Sequence, residues 1–253
     1  MSRSSISDTP DYRTVCKSAA EDEALFASFK RNPTYNVVLE HTDPKYVPEL
    51  CKAILDNGLD LSKLDVLKTN DEQGGAILVD AGSPFGQLSP STLRYVKVLS
   101  DIQKMFGSQT DKVVVEVGIG YGGQCKILSD FYKLSQYHLV DIREPLALAK
   151  RYLQKYGYGN IKYFSFDDEV EAMDSYDLFI SNYAFSEFAR ELQQFYIENF
   201  ILKSKHGYMT CNFVSDAWMV DSMSKQELLA AIPNCKEAPE RPQTHEHNRI
   251  LYW

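Results

Sequence analysis

The sequence predicts an α/β fold with alternating strands and helices, because three features follow one another in its middle. Lys112–Val117 is a short, mainly β-branched apolar run that suits a strand buried on both faces. A turn with four glycines in six residues, Gly118–Gly123, comes next, and Gln124–Leu134 then carries apolar residues at helical spacing. A second strand, Tyr137–Val140, ends on Asp141. Strand, glycine turn, helix, strand and acid form the opening unit of a nucleotide-binding, Rossmann-like domain.

The glycine turn has the chemistry of a cofactor site. Glycine lets the backbone turn tightly and lets a ligand lie against it without a Cβ in the way. The free N–H groups at the start of the following helix face that ligand. Asp141 comes 23 residues after Gly118, where a carboxylate can accept hydrogen bonds from both hydroxyls of a ribose. These positions predict a nucleoside-type cofactor.

Two cofactor classes fit this turn, and Glu116 favours one of them. Gly118, Gly120 and Gly123 satisfy G-x-G-x-x-G, so a dinucleotide such as NAD is formally allowed. Glu116 stands two residues before the first glycine, where a carboxylate would repel a pyrophosphate. S-adenosyl-L-methionine has no phosphate, and its cationic sulfonium and ammonium suit an acidic, glycine-lined crevice. We therefore expect S-adenosyl-L-methionine, with an NAD-dependent oxidoreductase as the alternative.

The elements before the glycine turn divide into two parts. Residues 1–9 are polar and predict a disordered tail. Residues 10–108 predict a helical region, in which Asp43-Pro44 and Ser89-Pro90 each mark a helix start by a capping side chain followed by proline. This region is expected to pack against a cofactor-binding domain that spans residues 109–253.

Strands and helices continue to alternate after Asp141. A helix at Pro145–Tyr156 is the first of these elements. The predicted strands that follow are Ile161–Phe166, Tyr176–Ile180, Tyr208–Phe213 and, at the end of the chain, Arg249–Trp253. The fourth strand of the sheet ends beside the glycine turn in a doubly wound sheet, so the residues after it face both cofactor and acceptor.

Composition narrows the possible partners and compartment. The chain has 253 residues and a net charge of −8, which argues against a nucleic-acid substrate because such partners usually need a basic face. No apolar run is long enough to span a bilayer, and the first ten residues lack the apolar core of a signal peptide. The five cysteines are scattered without a C-x-x-C pair. We expect a cytoplasmic protein that binds neither nucleic acid nor membrane and that could form a homodimer.

Several motifs resemble those of known methyltransferases. EVGIGYGG with the downstream acid resembles motif I of the class I S-adenosylmethionine-dependent methyltransferases. HLVDIREPLALAKRYL, DLFISNYAFSEF and a C-terminal E-x-P with His and Asn before LYW resemble the sugar O-methyltransferase family, over roughly residues 87–253. The resemblance implies a Rossmann-like class I methyltransferase sheet of seven strands, the last one antiparallel, with a helical N-terminal extension. A plain dinucleotide-binding fold lacks that closing antiparallel hairpin.

The resemblance also implies a reaction and a set of cofactor contacts. The reaction is transfer of a methyl group to a hydroxyl of a small-molecule acceptor, a sugar or a nucleotide sugar. In methyltransferases the acid after the third strand faces the adenine amino group, which assigns Asp167, with Asp168 equally eligible. The expected cofactor-binding residues are Glu116, Gly118, Gly120, Tyr121, Gly122, Asp141, Asp167 and Asn182.

A hydroxyl acceptor requires a general base, and two residues are candidates. Glu187 follows the fourth strand, although an acid at a helix N-terminus is also explained by the helix dipole. His245 lies in the tail loop, where an exposed polar loop is the plainer interpretation. Asp216, Asp221 and Glu187 could offer oxygen ligands, but their spacing has no metal signature and no metal is predicted. A non-catalytic cofactor-binding protein is a further alternative.

Overall fold

The computed structural model describes residues 5–40, 42–168, 172–213 and 220–253. Within these ranges, two short strands pair in a small hairpin and seven form a central sheet. In chain order the strands are β1 (Val79–Asp80), β2 (Gln87–Leu88), β3 (Val113–Val117), β4 (Gln136–Asp141), β5 (Ile161–Ser165), β6 (Tyr176–Asn182), β7 (Ser204–Asn212), β8 (Lys236–Pro239) and β9 (Asn248–Tyr252).

The central sheet has the order β5-β4-β3-β6-β7-β9-β8. β9 is antiparallel to both of its neighbours, and the other six strands run in one direction. The chain adds β4 and β5 on one side of β3 and returns with β6 on the other, so the topological switch point lies between β3 and β6. The predicted α/β fold with a seven-stranded sheet, its last strand antiparallel, is confirmed.

Side chains of β3 alternate between two buried layers. Val114 belongs to the core on one face of the sheet, and Val115 and Val117 belong to the core on the other. This explains why the strand reads as a continuous apolar run rather than an alternating one. β8 lies at the edge of the sheet with its residues largely exposed, so it has no apolar pattern from which it could be predicted.

Helices cover both faces of the sheet. They are α1 (Pro10–Glu21), α2 (Glu23–Phe26), α3 (Pro33–Val38), α4 (Val47–Asp56), α5 (Leu64–Lys68), α6 (Pro90–Phe106), α7 (Gly123–Phe131), α8 (Arg143–Gln154), α9 (Arg190–Tyr196) and α10 (Lys225–Ala231). The predicted cap of α6 is present, since Ser89 Oγ accepts a hydrogen bond from the Thr92 N–H at 3.0 Å. Asp43 caps a short 3₁₀ turn that leads into α4.

The N-terminal helices and the sheet share one hydrophobic core. Tyr12 of α1 and Leu50 of α4 are buried in the same cluster as Val114 of β3 and Leu148 of α8. α1 packs on α8, and α4 packs on α6. The N-terminal region therefore holds the glycine turn from one side and brings α6 next to the end of β6.

The first described residues lie against the domain, which corrects part of the predicted disordered tail. Ser5 forms an isolated antiparallel bridge with Phe188, and the Ile6 N–H donates to the Glu187 carbonyl at 3.2 Å. Thr9 caps α1. Residues 5–9 are polar and have no apolar pattern, so their composition predicted disorder. Backbone hydrogen bonds of this kind hold the segment in place without such a pattern.

None of the described helices combines the length and the apolar character that a bilayer crossing needs.

Candidate active site

A cavity of about 410 Å³ opens at the carboxyl ends of β3, β4 and β6. The glycine turn forms its floor, and the ends of β4 and β6 form its sides. Two segments from opposite ends of the chain complete the wall: residues 5–8 and a loop before β9 that contains Thr244 and His245. The cavity thus lies at the switch point of the sheet, where open α/β sheets bind their ligands.

Two positions of the turn require glycine, because of close neighbouring atoms as well as because of a positive φ. Gly118 has a φ of +74°, and a Cβ built on it would lie 2.1 Å from Ala184 Cβ. Gly120 has a φ of +55°, and its Cβ would lie 2.6 Å from Leu39 Cδ1. Both glycines line the cavity, so backbone rather than side chain faces a ligand there.

Asp141 ends β4 and lines the same cavity. Its two carboxylate oxygens accept hydrogen bonds from the N–H groups of Ile119 and Ile142, each at 2.8 Å. Burial raises the pKa of Asp141 from its usual 3.8 to about 6, although the backbone N–H donors oppose the rise. Asp141 therefore ties the glycine turn to the end of β4 and presents a carboxylate that is mostly ionised at neutral pH.

Glu116 also lines the cavity and is almost fully buried. Tyr137 donates its phenolic O–H to Glu116 Oε2 at 2.7 Å. Burial raises the pKa of Glu116 from its usual 4.5 to about 8. Its carboxyl is then largely neutral at pH 7 until a cation enters the cavity, and the electrostatic objection to a pyrophosphate is weaker than the sequence suggested.

Tyr121 and Gly122, both predicted cofactor contacts, lie outside the cavity lining. The Tyr121 ring is fully buried and packs edge-on against Phe29, Tyr95 and Tyr152. A Cβ on Gly122 would lie 2.8 Å from Leu153 Cδ1, so this glycine permits close packing of α8. Both positions follow the glycine motif in sequence, but the turn directs them away from the ligand and into the core.

Asp167, predicted to face adenine, is exposed and also lies outside the cavity lining. Its Oδ2 accepts the Arg143 N–H at 3.1 Å, at the start of α8. The alternative, Asp168, is exposed and pairs with the Arg143 side chain. The preceding residue, Phe166, lines the cavity instead and offers an aromatic face there.

Asn182, which the sequence analysis assigns as a cofactor contact, ends β6 and lines the cavity, and the next residue has a positive φ. Tyr183 has a φ of +67°, which is rare for a residue with a bulky side chain and marks local strain. Its phenolic O–H donates to Glu240 Oε1. Neither residue was predicted as part of the site, although Tyr183 lies inside the DLFISNYAFSEF motif and Glu240 begins one of two C-terminal E-x-P occurrences.

Glu240 is buried and organises the loop before β9. Its Oε2 accepts hydrogen bonds from the Thr244 N–H at 2.8 Å, from the Thr244 hydroxyl at 2.6 Å and from Asn248 Nδ2 at 3.0 Å. Tyr46 adds a bond from its O–H to the Thr244 carbonyl at 3.2 Å. These contacts hold the loop that carries His245 against the cavity.

Both candidates for the general base lie on the cavity wall, but their hydrogen bonds and their exposure to solvent differ. Glu187 accepts hydrogen bonds from the Ser7 hydroxyl and, at 2.7 Å, from Asn212 Nδ2. His245 is exposed at the rim, and its Nδ1 accepts the His247 N–H at 3.3 Å. That bond places the proton of a neutral His245 ring on Nε2, so the ring can accept a proton only if Nδ1 is released.

The potential oxygen ligands for a metal do not meet in the described residues. No group of three or more His, Cys, Asp or Glu side chains there is arranged to hold an ion. Asp221 pairs with Arg190, while Glu187 bonds Ser7 and Asn212. Asp216 lies outside the described residues.

No protein-family model matches the chain, and no curated protein matches it in sequence. Among solved structures, the chain is similar to a protein of Galdieria sulphuraria assigned as a sarcosine dimethylglycine methyltransferase, with a TM-score of 0.47 and 20% identity, over 59% of this chain and 66% of that one. It is also similar to M. capricolum TrmK, solved with S-adenosyl-homocysteine, with a TM-score of 0.41 and 16% identity, over 61% and 66% of the two chains. A Thermoplasma acidophilum protein has a TM-score of 0.47 and 14% identity, over 75% and 95%. The chain thus spans just under two thirds of the first two proteins.

Proposed function

We propose that this chain is an S-adenosyl-L-methionine-dependent O-methyltransferase that acts on a hydroxyl of a sugar or sugar-containing metabolite. One observation carries the proposal: the glycine turn, Glu116 and Asp141 line a single cavity at the switch point of a sheet whose last strand is antiparallel. The glycines leave backbone exposed, and the two carboxyl groups give the cavity an acidic character. A cationic nucleoside without phosphates suits that combination.

The residues on the cavity wall fit the parts of this cofactor. Asp141 would bind the ribose hydroxyls, and Phe166 would lie against the adenine. Glu116 would become ionised next to the cationic groups of the cofactor, because a nearby positive charge favours the ionised form of a carboxyl group. The cofactor, when bound, supplies an activated methyl group on a sulfonium sulfur.

The protein's part in the reaction is mainly to align the acceptor oxygen with the methyl carbon and the sulfur. As the new O–C bond forms and the C–S bond breaks, the hydroxyl proton must move to a base. Glu187 could take it at the cavity wall once Ser7 withdraws, and His245 could take it at the rim once its bond to His247 opens. Both remain proposals for this role.

Unpartnered polar atoms support a hydroxyl-rich acceptor. Thr42 Oγ1 and Asn248 Oδ1 are buried and have no hydrogen-bond partner among the described residues, and both residues line the cavity. Leaving such atoms unsatisfied costs roughly 1–3 kcal/mol each, so a ligand that supplies hydrogen bonds would be stabilised there. A sugar offers several hydroxyls for this purpose, in agreement with the resemblance of the chain to sugar O-methyltransferases.

Calorimetric titration tests the cofactor. We expect purified protein to bind S-adenosylhomocysteine with micromolar affinity and to show no heat with NAD. Binding of NAD alone would overturn the proposal in favour of an oxidoreductase, for which the largely neutral Glu116 removes one objection. Binding of neither ligand would also contradict it.

Methyl transfer tests the reaction class. We expect radiolabel from S-adenosylmethionine to appear in nucleotide sugars or free sugars rather than in small phenols. Transfer to phenols only would contradict the sugar assignment while leaving the cofactor intact. Binding of S-adenosylhomocysteine without transfer to any member of either panel would favour a non-catalytic protein.

A further inference from the structure

Arg94 places a guanidinium group at the cavity, and several N–H donors of this group are free of hydrogen bonds to the described residues. It lies on α6 and lines the main cavity together with Tyr95 and Tyr183. Its guanidinium carbon is 5.7 Å from the Tyr95 ring centre and 5.4 Å from that of Tyr183. Its Nη2 donates a hydrogen bond to the Leu39 carbonyl at 3.2 Å, and its side chain also hydrogen-bonds Tyr95. A guanidinium has five N–H donors in a fixed fork, so several remain free for a ligand.

A second, smaller cavity of about 30 Å³ lies beside the main one and shares Arg94 with it. Its lining also contains the cationic side chains of Lys97 and Arg241 and the buried acidic side chain of Glu240. Hydroxyl groups of Tyr46, Thr210 and Thr244 belong to the same lining. This end of the binding region therefore carries three cationic side chains, one carboxyl group and several hydroxyls, whereas Asp141 and Phe166 line the main cavity only.

Arg94 differs from the other two cations in its charge partners. Lys97 Nζ lies 2.6 Å from Asp101 Oδ2, and Arg241 pairs with Asp56. Among the described residues, no carboxylate lies within 4.0 Å of the Arg94 guanidinium. Glu40 acts on Arg94 only at longer range. In a protein with a net charge of −8, a cation left without an ion pair at the cavity wall is positioned for an anion.

We propose that Arg94 binds a carboxylate or phosphate of the methyl acceptor, so that the acceptor is an anionic, hydroxylated small molecule. This inference rests on the proposed function and narrows its substrate class. The planar fork of arginine matches both anions with two parallel hydrogen bonds. Thr42 Oγ1 and Asn248 Oδ1, which have no partner within the described part of the chain, would bind the acceptor's hydroxyls on the same cavity wall, while Arg94 binds its charged end.

Inorganic phosphate serves as the probe, added to protein that is already saturated with S-adenosylhomocysteine. Calorimetry is run on the wild type, Arg94→Gln and Arg94→Lys. We expect phosphate to bind the wild type and to bind Arg94→Gln roughly tenfold or more weakly, because charge-assisted hydrogen bonds are lost. Arg94→Lys keeps the charge but not the fork and should be intermediate. Arg190→Gln, which removes a guanidinium outside both cavities, should bind phosphate like the wild type.

Three results would overturn the inference. The first is no phosphate binding by the saturated wild type, and the second is equal binding by wild type and Arg94→Gln. The third is a tenfold loss of S-adenosylhomocysteine affinity in Arg94→Gln with unchanged affinity for 5′-methylthioadenosine, which lacks the carboxylate; Arg94 would then hold the cofactor. Thermal unfolding of each variant shows whether it is folded. A wild type that binds no S-adenosylhomocysteine contradicts the proposed function instead, and phosphate titration of the free protein still reports on Arg94.

Discussion

Two buried carboxyl groups, Glu116 and Asp141, set the electrostatics of the cavity. They lie at neighbouring strands and receive different hydrogen bonds, so they titrate differently. Asp141 accepts backbone N–H donors, which favour its ionised form, whereas Glu116 accepts one phenolic O–H and is otherwise desolvated. The pKa is accordingly about 6 for Asp141 and about 8 for Glu116. Each difference leads to a separate prediction.

Asp141→Asn is expected to weaken S-adenosylhomocysteine binding at least tenfold, or by about 1.5–3 kcal/mol. The substitution removes the charge and replaces one acceptor oxygen by an N–H₂ group that cannot accept from Ile119 or Ile142. Calorimetric titration measures the affinity, and thermal unfolding reports whether the turn is still held. Asp168→Asn is the control, because Asp168 is exposed and outside the cavity lining. Wild-type affinity in Asp141→Asn would contradict the ribose assignment.

Glu116 is expected to make the protein less stable as the pH rises. Its pKa is higher in the folded protein, about 8, than its usual 4.5, so the folded state holds a proton that the unfolded state loses. Its contribution to stability is complete below pH 4.5 and disappears as the pH rises to about 8. The slope of the unfolding free energy approaches about 1.4 kcal/mol per pH unit for one proton. Asp141 acts in the same direction below pH 6.

Urea unfolding of wild type and Glu116→Gln, between pH 6 and 8, measures this effect. Glutamine cannot ionise, so the fall in stability over that interval should shrink in the variant. Parallel pH dependence in the two proteins would show that Glu116 is ionised in the folded state.

At the scale of elements, the glycine turn joins β3 to α7 through positions that leave no room for side chains. Gly118 lies against Ala184, which follows β6, and Gly120 lies against Leu39, which follows α3. The turn is therefore shaped by a neighbouring strand end and by the N-terminal region together. The glycines are visible in the sequence pattern. The residues whose close approach requires glycine there are distant in the chain and cannot be identified from that pattern.

A comparison of Gly118→Ala with Gly157→Ala distinguishes the loss of stability caused by close packing from the loss caused by backbone strain. Both glycines have nearly the same φ, +74° and +73°, but a Cβ on Gly157 would meet nothing within 4 Å. Gly157→Ala should cost about 1–2 kcal/mol for the left-handed backbone alone. Gly118→Ala should cost about 1–3 kcal/mol more, because of the contact with Ala184. Equal losses in denaturant unfolding would indicate that the turn relaxes around the added methyl group.

At the scale of the whole molecule, both ends of the chain close the same cavity. Ser7 bonds Glu187 near the end of β6, and Thr244 is held by Glu240 and Tyr46. The N-terminal helices and the sheet share one hydrophobic core, so both segments that close the cavity are attached to the same packed structure. The cavity is thus formed by the N-terminal and C-terminal parts of the chain together and not by residues 109–253 alone.

Deletion of residues 1–8 is expected to speed the dissociation of S-adenosylhomocysteine several-fold. The deletion removes Ser7 and Asp8 from the cavity wall and frees Glu187. Stopped-flow displacement measures the rate. Full-length Asp8→Asn is the control for the lost pair with Arg13, which the deletion also removes. An unchanged dissociation rate would show that the segment does not retain the ligand.

The sequence by itself determined the β3–turn–α7–β4 unit, the acidic residues Glu116 and Asp141 and six strands of the central sheet; the seventh, β8, was implied only by the resemblance to methyltransferases. These depend on the spacing of apolar residues and on turn chemistry, which are properties of adjacent positions. The position of Asn182 also followed, because parallel strands place their carboxyl ends at one edge of the sheet.

Only the tertiary structure decided which of the neighbouring side chains line the cavity. Tyr121 points into the core, and Phe166 rather than Asp167 lines the cavity, although each lies beside a correctly predicted feature. Arg94 and the Tyr183–Glu240 pair depend on contacts between α6, β6 and the C-terminal loop, which no local pattern encodes. The direction of a side chain is set by the packing of distant elements, and that packing exists only when the chain is folded.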